Sequence, residues 1–454
     1  MPSRSSMLQM QSIAEVRKEL AARHPRGVIA RGLGRSYGDP AQNTGGVVLK
    51  ISQDSSSVNS QDGMDLFKIE IDRLAQTVRV GSGVSIEQLL RESIPLGLFV
   101  PVTPGTRYVT IGGAIASDVH GKNHHVDGSI GNHVLEITML LSNGEIEVIS
   151  PSHKPEWFWA TVGGMGLTGI ILEAVIRMIP IETYLMQVTT QRTTDLDSLL
   201  AEMTDKSDND YRYSVAWIDL AATGKSLGRS VLTRGNHAMA ADIKETIHSV
   251  DLAFEPKVRL SVPKIIPNGL LNSFSVRAFN ELWYRKSPRV RETTSESISA
   301  FFHPLDAVSN WNRMYGTRGF MQYQCILPMG QEDDLRSLVT VINKASLPSF
   351  LAVLKRMGPS NSSPLSFGQE GWTLALDFPV NREKLMPLIS KMDDIVMSAR
   401  GRHYFAKDSH MTPQMVVTQY PRLHEWRNVC SEMDPSGVFV SDLSRRLELR
   451  GRTK

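Results

Sequence analysis

The sequence predicts an α+β protein of two domains, the second an antiparallel sheet flanked by helices. Two observations carry that expectation. A chain of 454 residues is longer than a single hydrophobic core usually supports. The pattern also changes near Ile181. Before it, short strands are separated by glycine-dense loops; after it, strands at Tyr213–Ile218 and Met321–Ile326 alternate with helices at Glu332–Ala345 and Arg382–Ser398. Boundaries are therefore expected at 1–183 and 184–401, with 402–454 as a closing segment.

In order, Ile13, Val16, Leu20 and Ala21 recur at helical spacing between Ser12 and His24, opposite a charged face. The run Gly27–Ala30 reads as a strand that feeds the glycine-dense segment Arg31–Asp39, and Val47–Ile51 reads as a second strand. Phe67, Ile69 and Ile71 alternate with charged residues, and Val78–Val80 follows a turn, which predicts a hairpin. Gly81-Ser82-Gly83 breaks the sheet, and Ser85 with Gln88 forms a capping box for a helix running to Ile94. The stretch from Pro101 to Gly131 carries glycines, prolines and histidines with little periodicity, so it reads as a long functional loop. Strands at Val134–Leu141 and Glu145–Ile149 flank the turn Ser142-Asn143-Gly144. A helix holding Trp157, Phe158 and Trp159 then precedes the turn Gly163–Gly166 and a strand from Ile170 to Met178.

Composition excludes several classes. Hydrophobic residues at 41% and charged residues at 21% are those of a globular protein, and a net charge of +3 is too small for a nucleic-acid binder. Cys325 and Cys430 stand far apart with no metal-ligand spacing, so neither a zinc site nor a disulfide framework is expected. No apolar run reaches the roughly 18 residues of a spanning helix, and Met1–Gln11 lacks the apolar core of a secretory signal. The chain is expected on the cytoplasmic side unless something carries it out. One stretch, Lys257–Arg291, is strongly basic: Lys257, Arg259, Lys264, Arg277, Arg285, Lys286, Arg289 and Arg291 stand against Glu281 alone. Ile265, Ile266, Leu270, Leu271, Phe274 and Trp283 are mixed in. It reads either as a solvated mobile loop or as a contact with an anionic membrane or a lipid phosphate.

The spacing of a dinucleotide-binding turn occurs once, at Gly164-Met-Gly166-Leu-Thr-Gly169. That fingerprint must follow a strand and open a helix. Here a helix precedes it and the strand-like Ile170–Ile176 follows, so a Rossmann fold is rejected. The segment Gly32-Leu-Gly34-Arg-Ser-Tyr-Gly38 offers a better anion site, because a glycine-dense turn leaves backbone N–H groups free to converge as a nest. Arg31 and Arg35 add charge there and Ser36 a hydroxyl. Pro104-Gly105-Thr106 and Ile111-Gly112-Gly113-Ala114 form a second place where backbone can approach a flat ligand.

These three glycine-rich segments, in this order, resemble the vanillyl-alcohol-oxidase (PCMH) type of FAD flavoprotein. The resemblance implies a two-domain FAD-binding fold with a second α+β substrate domain, and 402–454 returning to the FAD-binding domain. The first loop would grip the FAD pyrophosphate, Ile111–Gly113 would run beside the isoalloxazine, and the Gly163–Gly166 turn would lie near the adenine half. Within that group, Arg31–Asp39, His120–His125, Ala406–Ser409 and Ser441–Leu449 resemble the polyprenyl-phosphoryl-ribose oxidases of actinobacterial cell-wall synthesis over nearly the whole chain. Such an enzyme oxidises the ribose C2 hydroxyl of a polyprenyl-phosphoryl pentose, and a separate NAD(P)H-dependent short-chain reductase completes the epimerisation. A lipid-linked substrate also implies a peripheral membrane protein, on the cytoplasmic or the periplasmic face.

The resemblance assigns cofactor contacts to Arg31, Gly32, Leu33, Gly34, Arg35, Ser36, Tyr37 and Gly38, to Pro104, Gly105, Thr106, Ile111, Gly112, Gly113, Ala116 and Ser117, and to His120, Gly121, Asn123, Gly166, Ile170, Tyr404 and Lys407. It assigns chemistry to Lys407, His120 and Tyr37. Lys407 is a base if its pKa is lowered and an electrostatic stabiliser if it stays charged. Substrate contacts fall to Lys122, Trp217, Gln322, Gln324, Lys355, Thr373, Ala375 and Lys407, with Lys122 facing the substrate phosphate. The run His120, Lys122, His124, His125 could suggest a metal, but apart from Asp118 no carboxylate or cysteine stands at useful ligand spacing, so no metal is expected.

Two departures matter. Many flavoproteins of this type carry, near Tyr37, a histidine bonded to the flavin. A tyrosine cannot form that link, so FAD is expected to be non-covalent. In Gly371–Phe378, Ala375 stands where related chains often have the cysteine that nitroaromatic inhibitors trap, and Thr373 where they have asparagine. Oxidase chemistry without covalent trapping is the expectation. The competing readings are an FAD-dependent aldonolactone (D-arabinono-1,4-lactone-type) oxidase, which would need no basic apolar lid, and a flavin-free membrane-surface scaffold.

Overall fold

The computed structural model describes residues 4–451 except 11, 52–64, 243–251, 253, 255, 257–259, 264–271, 348 and 350. At the N-terminus, strands Ser6–Gln9, Val47–Lys50 and Val28–Arg31 form a parallel sheet in that order. The helix Ile13–Ala21 covers it with Ile13, Val16 and Leu20, and Ser12 caps that helix by accepting from the Glu15 amide. The end of the chain returns here: Val28 donates to Val438 O and accepts from the Val440 amide, which brings Phe439 into the same core.

A second, five-stranded antiparallel sheet runs Ile69–Asp72, Thr77–Gly81, Ile170–Arg177, Val134–Leu140, Ile146–Ile149. The capping box at Ser85 and Gln88 opens the helix Ile86–Ser93, which buries Ile86, Leu89 and Leu90. The helix Pro155–Thr161 precedes the Gly163–Gly166 turn and the strand Ile170–Arg177 follows it, so the dinucleotide-binding order is absent.

Eight antiparallel strands make the third sheet: Glu292–Ser297, Leu185–Thr193, Ser230–His237, Tyr213–Ile218, Ala352–Met357, Gly371–Pro379, Phe320–Pro328 and Arg402–His403. Side chains alternate across it. Ala216, Leu354, Leu374, Leu376, Tyr323 and Cys325 turn to one face and pack beneath the helices Leu196–Thr204, Glu332–Ala345 and Arg382–Ser398. Each large apolar side chain so buried contributes about 1.5–3 kcal/mol. The opposite face meets the five-stranded unit.

Two expectations change. Residues 101–131 are not all loop: Ile111–Ala116 and His124–Asp127 are short helices. Adjacent glycines hide the first from a propensity reading, yet Thr110 caps it, and a Cβ on Gly112 would come 2.9 Å from Ser82 Cβ. The basic stretch 257–291 is likewise not a loop throughout. Ser273–Lys286 is a helix capped by Asn272, which accepts from the Phe274 and Ser275 amides at 2.9 and 3.0 Å. Val276 and Asn280, one turn apart, anchor it to the body, a spacing that the run of charges obscures. Lys257, Arg259, Lys264, Ile265, Ile266, Leu270 and Leu271 lie outside the described residues. No described helix is long and apolar enough to cross a membrane.

Candidate active site

A cavity of about 750 Å³ lies between the inner face of the eight-stranded sheet and the loops of the other two sheets. That volume is typical of a small-molecule or cofactor site. Three walls enclose it.

The first wall is Arg31–Tyr37. Gly34 adopts φ +64°, and the amides of residues 33–36 have no acceptor among the described residues. Glycine is required here by contact as well as by conformation. A Cβ at Gly32 would stand 2.2 Å from Thr110 Oγ1, and one at Gly38 would stand 1.7 Å from the Asp408 carbonyl. The loop is clamped to the segment that carries Lys407. Tyr37 N donates to Ala406 O at 3.0 Å, and Arg446 donates to Asp39 at 2.7 and 2.9 Å and to Asp408 at 2.8 Å. Lys407 Nζ therefore rests 4.0 Å from the centre of the Tyr37 ring.

The second wall runs from Pro104 to His120 and includes Gly112, Gly113, Ala116 and Ser117. It is tied to the sheet domain by Asp306, which accepts from Thr106 Oγ1 at 2.8 Å and from the Arg107 amide at 2.9 Å. Met165 and Gly166 close the far end, and Tyr404 lines the cavity while donating to Ser117 O at 2.7 Å.

The third wall is a consequence of strand register. Gln322 pairs with Asp377, Gln324 with Ala375, Lys355 with Thr373 and Trp217 with Val353, so all these side chains share the inner face. Gln322, Gln324, Val353, Lys355 and Ala375 reach the cavity. Neither cysteine does: both are buried elsewhere.

The electrostatics follow from burial. His120 Nδ1 lies 3.1 Å from Lys355 Nζ, and its Nε2 lies 2.9 Å from the Gln324 amide nitrogen. Burial, reinforced by the Lys355 charge, holds the imidazole far below its usual pKa, so the ring is neutral. Burial pushes Lys355 down to about 7, helped by Lys122 and Lys407. Burial also lowers Lys407, while the Asp377 carboxylate opposes that shift. The cavity thus holds two amines able to exchange protons near neutral pH, opposite a cradle of free backbone donors. That donor set fits a ligand with an anionic, phosphate-rich end and a flat end, as FAD is.

Eight of the site residues expected from sequence do not line the cavity: Gly38, Ile111, Gly121, Lys122, Asn123, Ile170, Trp217 and Thr373. Lys122 is turned away from it. Its ammonium donates to Phe301 O and sits 4.1 Å from the Phe301 ring centre, and burial pushes it down to about 8. Asn123 braces the backbone, donating to Pro101 O at 2.8 Å. Gly121 accepts from Lys355 at 3.3 Å, and Thr373 accepts from Gln324 at 3.2 Å, so both stand directly behind residues that do line it. The sequence reading missed Asp306, Arg107, Tyr315 and Asp377. None belongs to a motif, and only the strand register could have singled out Asp377, opposite Gln322. It also missed the network behind the sheet in which Tyr323, His403 and His410 all meet Asp393 Oδ1, at 3.0, 3.1 and 3.2 Å.

An FAD binding domain model matches residues 6–150 and a D-arabinono-1,4-lactone oxidase model matches residues 317–447. Fold, cradle and matches together define an FAD-dependent oxidoreductase. The chain is 43% identical over 425 residues to the decaprenylphosphoryl-beta-D-ribose oxidase of Mycolicibacterium smegmatis, covering 93% of this chain and 90% of that protein. It belongs to the decaprenylphosphoryl-beta-D-ribose oxidase family. It is also similar, at 22% identity, to an alditol oxidase of a Streptomyces strain, over 96% of this chain and 94% of that protein. A further 22% match is L-gulonolactone oxidase 5 of Arabidopsis thaliana, over 82% of this chain and 70% of that protein.

Proposed function

We propose that the protein oxidises the C2 hydroxyl of a polyprenyl-phosphoryl-β-D-ribofuranose to the 2-keto sugar, the first half of epimerisation to the arabinose donor. The observation that carries this reading is the convergence of Lys407, Lys355 and the neutral His120 on the wall facing the glycine cradle. FAD, when bound, supplies the hydride acceptor at N5. The chain positions the sugar and manages its protons. Lys407 in its amine form takes the hydroxyl proton, and burial makes that form accessible near neutral pH. His120, fixed between Lys355 and Gln324, keeps a neutral ring on the cavity wall beside the sugar. Gln322, Gln324 and Ala375 floor the sugar site, and Lys355 contributes positive charge.

The cradle Arg31–Tyr37 would hold the pyrophosphate, and Pro104, Gly105, Thr106, Gly112, Gly113, Ala116 and Ser117 with His120, Gly166 and Tyr404 would hold the remainder of the cofactor. Tyr37 offers no imidazole for a covalent link, so FAD is bound non-covalently; acid precipitation should release all the flavin to the supernatant. A separate NAD(P)H-dependent short-chain reductase consumes the keto product. A peripheral membrane position is supported by the helix Ser273–Lys286, which exposes Phe274 and Leu282 at 82% and 70% beside Arg277, Arg285 and Lys286.

The lactone oxidase match over 317–447 favours a second reading, oxidation of a soluble aldonolactone by the same site. Anaerobic flavin bleaching with a polyprenyl-phosphoryl ribose and with an aldonolactone separates the two.

A further inference from the structure

Behind the eight-stranded sheet, on the face turned away from the cavity, Tyr323, Asp393, His403 and His410 converge without a role in the site described above. Strand register sets Cys325 opposite His403, so His403 emerges beside Tyr323 on the face covered by the helix Arg382–Ser398. That helix supplies Asp393, and the loop beyond Lys407 supplies His410. Tyr323 and His403 are fully buried, and the His410 side chain is only 6% exposed. None of these residues lines the cavity.

Their polar atoms focus on one oxygen. Asp393 Oδ1 lies 3.0 Å from the Tyr323 hydroxyl, 3.1 Å from His403 Nε2 and 3.2 Å from His410 Nε2, and the Tyr323 hydroxyl stands 2.8 Å from His403 Nε2. A carboxylate oxygen offers about two lone pairs. Three polar atoms crowd this one, while Asp393 Oδ2 has no partner among the described residues. The His410 ring also lies between two carboxylates, with Nδ1 3.5 Å from Asp408 Oδ1. That oxygen already accepts from the His410 and Met411 amides at 2.9 and 2.8 Å, and His410 Nδ1 is buried with no hydrogen-bond partner among the described residues. Whichever nitrogen of a neutral ring carries the proton, the other sets a lone pair against a carboxylate oxygen. A cation held between Asp393 and the two imidazoles removes the conflict: it takes the Nε2 lone pair and leaves Nδ1–H facing Asp408.

We propose that Asp393, His403 and His410 form a site for a divalent transition-metal ion of the zinc class, bound through one carboxylate oxygen and the two Nε2 atoms. Around a metal with bonds of about 2.0–2.2 Å, neighbouring ligand atoms stand about 3.0–3.4 Å apart. The observed separations of 3.1 and 3.2 Å need little adjustment to meet that. Imidazole ligands suit zinc, and an outer partner on each ring fixes its orientation. Asp408 faces the outer nitrogen of His410, and the Gln419 carboxamide oxygen lies 3.1 Å from that of His403. Tyr323 keeps its bond to the carboxylate, and water completes the shell past Asp393, the most exposed ligand at 16%. His403 and His410 bracket Tyr404 and Lys407, which line the cavity on the other side. The ion is structural: it ties the segment carrying Lys407 to the helix Arg382–Ser398 from behind. Its site does not depend on which sugar the cavity accepts.

The test uses the FAD-loaded full chain, stripped with a chelator, incubated with Zn2+ alone and dialysed, with zinc counted by plasma mass spectrometry. Native protein should retain about one zinc per chain. His410→Phe keeps a ring to stack on Tyr323 but no ligand atom, and Asp393→Asn keeps an oxygen for the Tyr323 hydroxyl but no charge. Each should bind zinc at least about tenfold more weakly in a competition titration. Equal affinity in native protein and both variants would place the ion elsewhere and overturn the site. Where a variant does not fold, X-ray absorption of the zinc-loaded native protein decides. It should show two imidazoles at about 2.0–2.1 Å; an oxygen-only shell, or no retained zinc, means that a proton rather than a metal sits between the carboxylates. Chelation should lower the thermal unfolding midpoint of native protein by about 2–5 °C and leave His410→Phe unmoved. A native midpoint that does not move would overturn the structural role.

Discussion

Lys407 is where burial does the most chemical work. In water a lysine is fully charged at neutral pH and useless as a base; inside this cavity desolvation lowers its proton affinity. The sign of the pH dependence follows. A base must be deprotonated to act, so the rate of flavin reduction should rise with pH through the Lys407 transition. Lys407→Met should remove that limb and slow flavin reduction by about 10²–10⁴-fold, measured by anaerobic stopped-flow absorbance. Resemblance alone flagged Lys407, His120, Gln324 and Lys355, and the cavity brings all four together. Lys122 shows the limit of such residue-by-residue transfer. Its type and position suggested a phosphate contact, but the side chain is spent on Phe301. A charge in a sequence does not reveal which way its side chain turns.

Elements were legible where one local signal dominated. The capping box at Ser85 and Gln88 and the alternation at Ile69–Asp72 and Thr77–Gly81 stand in the structure where the sequence placed them. The Gly112-Gly113 helix was not legible, because Gly112 answers to a neighbour, Ser82, rather than to helix propensity. Contacts between distant elements were equally hidden. Arg446, in the closing helix Asp442–Arg446, joins Asp39 of the cradle to Asp408 beside Lys407 across some four hundred residues of chain. Arg446→Ala leaves the fully buried Asp408 carboxylate without its cation. It should cost on the order of 3 kcal/mol in a denaturant titration and weaken FAD retention. A variant of native stability that still holds its flavin would show that the clamp is not structural.

At the scale of the whole molecule, the site exists because one sheet face and two glycine-rich loops from different parts of the chain close on each other. The exposed helix Ser273–Lys286 lies outside that arrangement, and the membrane contact proposed for it is open to a direct test. Phe274→Glu combined with Leu282→Glu should reduce co-sedimentation with vesicles containing anionic lipid while leaving the flavin spectrum unchanged; undiminished co-sedimentation would exclude this helix as the contact. The central claim is that the cavity oxidises a lipid-linked ribose. Its most direct test is anaerobic flavin reduction followed by absorbance, with a polyprenyl-phosphoryl ribofuranose and an aldonolactone offered separately. Rapid bleaching by the phosphoryl ribose, with formation of the 2-keto sugar and little response to the lactone, is the result predicted; bleaching by the lactone alone would contradict it.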